Sequence, residues 1–434
     1  MKIILIFFAI IILPISVALA TDNLTFGKAI EIALQNNYSI KISKVNQNIA
    51  ANNNTAGNAG MLPKLDVTAG AAYSNTNLDM KLLTGQSITQ SGNVQYTYNA
   101  GAQLNFTLFD GMAMFVSYDK LHEIKNKSDI ELRVTIENSI LSIAQAYVQA
   151  LKLQNNLAIL KKNIQISKER LERLEVKKEF GNAIQLEILR AQVDKNNDSV
   201  NYLRTELSYR SALKNINFLM GNNIEQNFVL DNKIDSGELK NLNELRQLAS
   251  TSNSTIMRAL KNIEISQLDK KLILSTYLPR LNLSAGYTYS RQEAEAGFML
   301  FNQSQGLSAN LNLSWNLFNG FQNATQEQNA ELAIALNNIS TEQIKSQIDL
   351  ALINSYDTYQ RRLEILNFEQ QNIKTVELNF QRTQELYNLG QASSIDLRQA
   401  QNNLSASETR IIEAELDAIQ SKIEINLLTG AKIF

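Results

Sequence analysis

A mainly α-helical chain with a smaller membrane β part, written as two copies of one unit, is the fold class this sequence predicts. Three observations predict it. The intervals from Gly111 to Gly181 and from Gly320 to Gly390 contain no internal Gly or Pro. Four short segments alternate between apolar residues and small polar ones. Motifs of the first half also return in the second half at constant spacing.

The long intervals come first. Each holds 69 residues, on the order of 100 Å as one helix. In the first, positions 132, 136, 139, 143, 146, 150, 153, 157, 160, 164, 167, 171 and 174 form a four-three ladder. All but Ser139 and Ser167 are apolar, which is the pattern of a coiled-coil seam. A weaker seam runs through Tyr359, Leu363, Leu366, Ile373, Phe380 and Tyr387. A Gly just past each interval supplies the left-handed cap that ends a helix. Two antiparallel helical hairpins follow, with tips near 181 and 390. Residues 25–60 and 242–276 are read as shorter helices leading into the strands.

The alternating segments are expected as strands over about 65–74, 94–109, 281–290 and 306–318. Leu281, Leu283, Ala285, Tyr287 and Tyr289 oppose Asn282, Ser284, Gly286, Thr288 and Ser290. Period two fits a half-buried sheet or a membrane barrel strand. The polar face is small and nearly uncharged, whereas a soluble sheet usually protects itself with Lys and Glu. Tyr73, Tyr96, Tyr98, Tyr287, Tyr289 and Trp315 stand toward strand ends, where a lipid-interface girdle belongs. Pro63 and Pro279, which cannot continue a helix, mark switches from helix to strand. Four strands cannot close a membrane barrel, because about eight are needed. If these strands span lipid, several chains must pool them.

The duplication is explicit. Met61-Leu62-Pro63-Lys64-Leu65 returns as Tyr277-Leu278-Pro279-Arg280-Leu281, 216 positions later. Leu108-Phe109-Asp110-Gly111 returns as Leu317-Phe318-Asn319-Gly320, 209 positions later, and the spacing then stays constant. The expected division is 21–221 for the first repeat, 222–241 for a linker and 242–434 for the second repeat. Residues 1–20 read as a secretory signal peptide: Lys2, an apolar run, and Ala18-Leu19-Ala20 before Thr21.

Composition closes other classes. The chain has 434 residues with 41 Lys+Arg against 42 Asp+Glu, so it lacks the basic excess of a nucleic-acid binder. With no Cys and only His122, disulfide frameworks, common zinc sites and most nucleophile–base arrangements are closed. No enzymatic activity and no cofactor are expected.

The order helix–strand–strand–helix–helix in duplicate, the paired Leu-Pro-Lys/Arg-Leu and Leu-Phe-Asp/Asn-Gly motifs, and the second tip from Leu389-Gly390 to Gln401 together resemble the TolC family of outer-membrane channel-tunnel proteins. The resemblance implies a homotrimer whose twelve-stranded β-barrel, four strands per chain, is continuous with a long periplasmic α-helical coiled-coil barrel. Loops at about 75–93 and 291–305 would face outside. It further implies a passive outer-membrane exit duct of a tripartite efflux or type I secretion system. The partners implied are a periplasmic adaptor (membrane fusion) protein, an inner-membrane transporter of RND, ABC or MFS type, and outer-membrane lipid. A non-conducting trimeric coiled-coil spacer or adhesin is the alternative.

By the family pattern, Gly181 and Asn182 at the first tip, and Gly390, Gln391, Ala392, Ser393 and Ser394 at the second, would contact the adaptor. Tyr387, Asp396 and Glu187 are the implied candidates for the periplasmic entrance. Asp396 in threefold copy would make a carboxylate ring, or equally cap a helix with Ser393 or Ser394. Tyr387 would join closing contacts or pack in the seam. Gln399 departs from relatives with a second acidic residue there, and the first tip lacks the Ser pair.

Overall fold

The computed structural model describes residues 23–181, 183–234, 239–295 and 299–430. The expected signal peptide and Asn182 lie outside the described residues. Elements run β1 (Asn23–Leu24), α1 (Phe26–Asn36), α2 (Tyr38–Asn53), β2 (Lys64–Lys81), β3 (Ser87–Phe109), α3 (Ala113–Glu179) and α4 (Gln185–Met220). The second half follows with β4 (Val229–Leu230), α5 (Leu242–Ser252), α6 (Ser254–Ser275), β5 (Arg280–Ala294), β6 (Phe301–Ser314), α7 (Gln322–Asn388) and α8 (Ser394–Leu428).

The two long helices, α3 and α7, have 67 residues each. Both start after a pair of left-handed residues: Gly111–Met112 at φ 72° and 73°, and Gly320–Phe321 at φ 67° and 66°. A left-handed non-Gly residue is strained, and its recurrence at the same repeat position marks a built corner between strand and helix. At Gly111 a Cβ would lie 2.4 Å from the Ser275 carbonyl oxygen, so α6 packs directly against this corner.

Each half also breaks its leading helix at an Asn. Asn37 accepts from Ile40 N–H at 3.1 Å and donates to the Leu219 carbonyl at 2.6 Å. Asn253 accepts from Ile256 N–H at 3.1 Å and donates to the Leu428 carbonyl at 2.8 Å. One side chain thus caps a new helix and ties it to the C-terminus of α4 or α8. The close approach excludes a side chain at the facing glycines. A Cβ on Gly221 would sit 2.3 Å from the Asn36 carbonyl, and one on Gly430 2.3 Å from that of Ser252.

Every position of the first seam is buried or half-buried, whereas Leu363 of the second is exposed. Near its middle α3 is buried beyond the seam, because α1, α4, α8 and the short parallel pair β1–β4 surround it. Tyr147 stacks against Phe26 with ring centroids 5.5 Å apart. Its hydroxyl lies 2.7 Å from the Leu24 carbonyl and 2.9 Å from that of Asp231, sharing one proton between them. Burial, reinforced by Asp231, raises its pKa above the usual tyrosine value.

The sheet is four-stranded and antiparallel in the order β2-β3-β5-β6, leaving β2 and β6 as edges. Its strands run further than the alternating pattern. The ladder continues past 74 to Lys81↔Ser87, and only Leu82–Gln86 connects β2 to β3. The expected loops at 75–93 and 291–305 are therefore largely strand. The reason is that backbone pairing continues where both faces become polar, as at Asn75, Asn77 and Asp79, and alternation no longer signals it. At the other end β6 stops at Ser314 rather than 318. Trp315 leaves the ladder and its indole N–H donates to the Tyr277 carbonyl at 3.0 Å.

Candidate functional site: hairpin tips and sheet faces

At the second tip, α7 ends on Leu389 and Gly390 at φ 75°, and the Gln391 N–H returns to the Leu386 carbonyl at 2.8 Å. Ser393 then caps α8. Its hydroxyl accepts from Asp396 N–H at 3.1 Å, and its own N–H donates to Asp396 Oδ2 at 2.9 Å. That reciprocal pair satisfies two orphan donors of the helix start. The Ser393 hydroxyl also donates to Asp396 Oδ2 at 2.6 Å. These Ser393 bonds hold the exposed Asp396 carboxyl below the ordinary 3.8. Among the described residues both bonds to the carboxylate fall on Oδ2.

The first tip is built more weakly. Gly181 takes φ 73°, and Ile184 N–H reaches Glu187 Oε2 at 3.4 Å with no capping hydroxyl to answer it. Glu187 nevertheless lies within electrostatic reach of Tyr387 across the two hairpins. Tyr387 is only 3% exposed, packed on Phe380, Leu397, Ala400 and Leu404, with Lys177 Nζ 4.8 Å from its ring centroid. Burial raises its pKa. Its hydroxyl lies near Ser394 without reaching hydrogen-bond geometry. A cleft of about 420 Å³ between the tips is lined by Arg170, Glu187, Ser393, Ser394, Ile395 and Gln399 among others, while Asp396 stands outside it.

A polar cluster that the sequence reading did not assemble begins in the wall of this cleft, with Arg170, Asp194 and Arg398, and continues inward to Asp198 and Ser167. Arg398 of α8 grips Asp198 of α4 through both terminal nitrogens, at 2.7 and 2.8 Å. Ser167 of α3 donates to the same carboxylate at 2.6 Å. Arg170 of α3, itself 3% exposed, pairs with Asp194 and donates to the Ser394 carbonyl at 3.4 Å. Burial pulls the Arg398 guanidinium down, but Asp198 and Asp194 outweigh it and hold its pKa above the ordinary value. The available signal was Ser167, one of the two polar breaks in the α3 ladder.

On the sheet, Pro63 and Pro279 each directly precede a strand, β2 and β5. The register puts Leu65, Leu104, Ala285 and Ala309 in one row, and Val67, Ala102, Tyr287 and Leu307 in the next. Tyr73 pairs with Tyr96 at a ring separation of 5.5 Å, and Trp315 is 59% exposed at the opposite end. Among the described residues no helix is long and apolar enough to cross a membrane.

An apolar-faced sheet carried on two long helical hairpins defines a channel-type outer-membrane fold. The chain belongs to the outer membrane efflux protein family, whose model matches residues 29–222 and 245–431. It is 20% identical over 383 residues to the outer membrane protein TolC of Vibrio cholerae, covering 87% of this chain and 84% of that protein. To the pyoverdine export outer membrane protein OpmQ of Pseudomonas aeruginosa it is 21% identical over 380 residues, covering 86% and 78%. The solved structure of CusC superposes with a TM-score of 0.76 at 15% identity, covering 94% of this chain and 92% of that one. The chain is therefore an outer-membrane efflux channel protein with a periplasmic helical part, and not an enzyme.

Proposed function

We propose that three copies of this chain assemble into a duct that passively carries solutes out of the periplasm, as the outer-membrane part of a tripartite efflux or type I secretion system. The observation that carries this reading is the sheet with two open edges, β2 and β6. In lipid each unpaired N–H or C=O costs several kcal/mol, so edges must meet edges of other copies. Three chains supply twelve strands, enough to close a barrel. Leu189, Val193, Val200, Leu203 and Leu207 on α4, and Leu332, Leu336, Ile339 and Leu350 on α7, support the same assembly. They are exposed in the single chain and repeat with coiled-coil spacing.

In this reading the apolar rows face lipid, Tyr73, Tyr96, Tyr98, Tyr287, Tyr289 and Trp315 sit at its interfaces, and the polar face lines water. Residues 1–20 direct export. The tips at Gly181 and at Gly390 to Ser394 meet a periplasmic adaptor coupled to an inner-membrane transporter, while Tyr387, Glu187 and Asp396 border the entrance. Purified folded oligomer placed in planar bilayers should give discrete conductance steps. Repeatedly silent reconstitution would contradict the duct and favour a non-conducting spacer.

A further inference from the structure

The polar face of the sheet has an uneven charge distribution. From Thr68, Gln103, Asn282 and Asn312 outward to Gln95, Gln292 and Asn302, its positions hold only Asn, Gln, Ser, Thr, Gly and Ala. Between those rows and the helices this face does carry charge: Lys64 and Asp66 on β2, and Arg280 on β5. Lys64 and Arg280 are the first residues of their strands and occupy the same repeat position, each directly after a proline. Lys64 pairs across the ladder with Asn105, and Arg280 with Ser314. Alternation places both on the polar side, opposite to Leu65 and Leu281.

Both basic side chains are exposed and, among the described residues, neither forms an ion pair. This is not general at the junction, where Lys120 pairs with Asp269 and Lys270 with Glu331. Two acids lie nearby, and among the described residues neither pairs with Lys64 or Arg280. Asp66 Oδ2 accepts from the Asn105 amide at 3.4 Å, and Asp110, in the turn beyond β3, has its Oδ1 buried.

We propose that Lys64 and Arg280 form an anion-attracting rim where the sheet's water-facing wall meets the helices, so that oxyanion-bearing solutes are the charged class this duct concentrates. The inference rests on the duct reading above, because only a pooled, water-filled wall brings several copies of the pair around one path. Rings of Lys or Arg are the usual means by which a pore selects anions and phosphates. Here they stand at the end of an otherwise uncharged wall, and on this face Lys64 and Arg280 outnumber the single carboxylate of Asp66 in each copy. Lys and Arg at a barrel's end could otherwise reach lipid phosphate, and the test separates the two roles.

The experiment adds inorganic pyrophosphate to the loop side of the full-length oligomer in planar bilayers at low salt. The expected result is a concentration-dependent drop in current. The half-blocking concentration should rise at least tenfold in Lys64→Gln/Arg280→Gln and fall in Asp66→Asn. In the unaltered protein the block should vanish near 1 M salt, where the screening length is about 3 Å; this arm needs no variant to fold. Conducting oligomer that pyrophosphate leaves unblocked, or equal block in the double variant, overturns the rim and leaves the duct intact. Folded oligomer without conductance overturns the duct and the rim together.

Discussion

Asp396 closes the second tip through Ser393, and its charge state decides whether that cap holds. Its carboxyl is held below its unfolded value, so its stabilising contribution is complete above pH 3.8 and is lost as pH falls through the lower folded value. Protection of the first-turn amides of α8, measured against the unfolded-chain exchange rate at each pH, should therefore hold as pH drops to about 3.8 and fall below it. Protection already lost at pH 5 would remove the cap. Glycines give a second contrast. Gly221→Ala drives a Cβ into the Asn36 carbonyl in addition to a left-handed strain of about 1–2 kcal/mol, whereas at Gly390 the space is open and only the strain remains. Thermal melts should show Gly221→Ala clearly more destabilised than Gly390→Ala; equal losses would contradict the packing described. The glycine ends of the helices were legible as sequence because they interrupt long glycine-free intervals. The crowding at Gly221 was not, since Asn36 is 185 positions away.

The helical elements illustrate the same division. Hairpins and their tips could be read from the absence of Gly and Pro and from an apolar ladder, both local properties. The Arg398–Asp198–Ser167 cluster could not, because its members come from α8, α4 and α3: Ser167 shows only as a polar break in its ladder, and nothing local ties it to Asp198 or Arg398. Removing one partner of a buried pair leaves the other uncompensated, at a cost of about 3–5 kcal/mol. Arg398→Met should accordingly raise exchange along α4 and α8 near the tip, and Asp198→Leu in the same chain should recover much of it. If Arg398→Met leaves tip exchange unchanged, the cluster does not hold the hairpins together. The strands were legible where one face is apolar and illegible beyond Ser74, where both faces are polar and only the hydrogen-bond ladder to β3 defines them. Likewise the Asn37 and Asn253 clamps share the 216-residue spacing of the proline motifs, a regularity visible only once their helix breaks are known.

As a whole molecule, the chain is complete in its helical middle and incomplete at its sheet. Around Tyr147 the two halves share one core, with α1, α3, α4 and α8 all contributing. Tyr147→Phe should cost about 1–2 kcal/mol by removing the buried hydroxyl from the Asp231 carbonyl and from that of Leu24, which keeps only the Asp231 N–H, measurable as a lower melting temperature. The sheet differs, because among the described residues its edges β2 and β6 and the exposed seams of α4 and α7 have no partner. The central claim is that other copies supply those partners and enclose water. Native mass spectrometry of the full chain released from detergent tests it most directly. Three chains in one particle is the result expected; a folded single chain that stays soluble without detergent would contradict it.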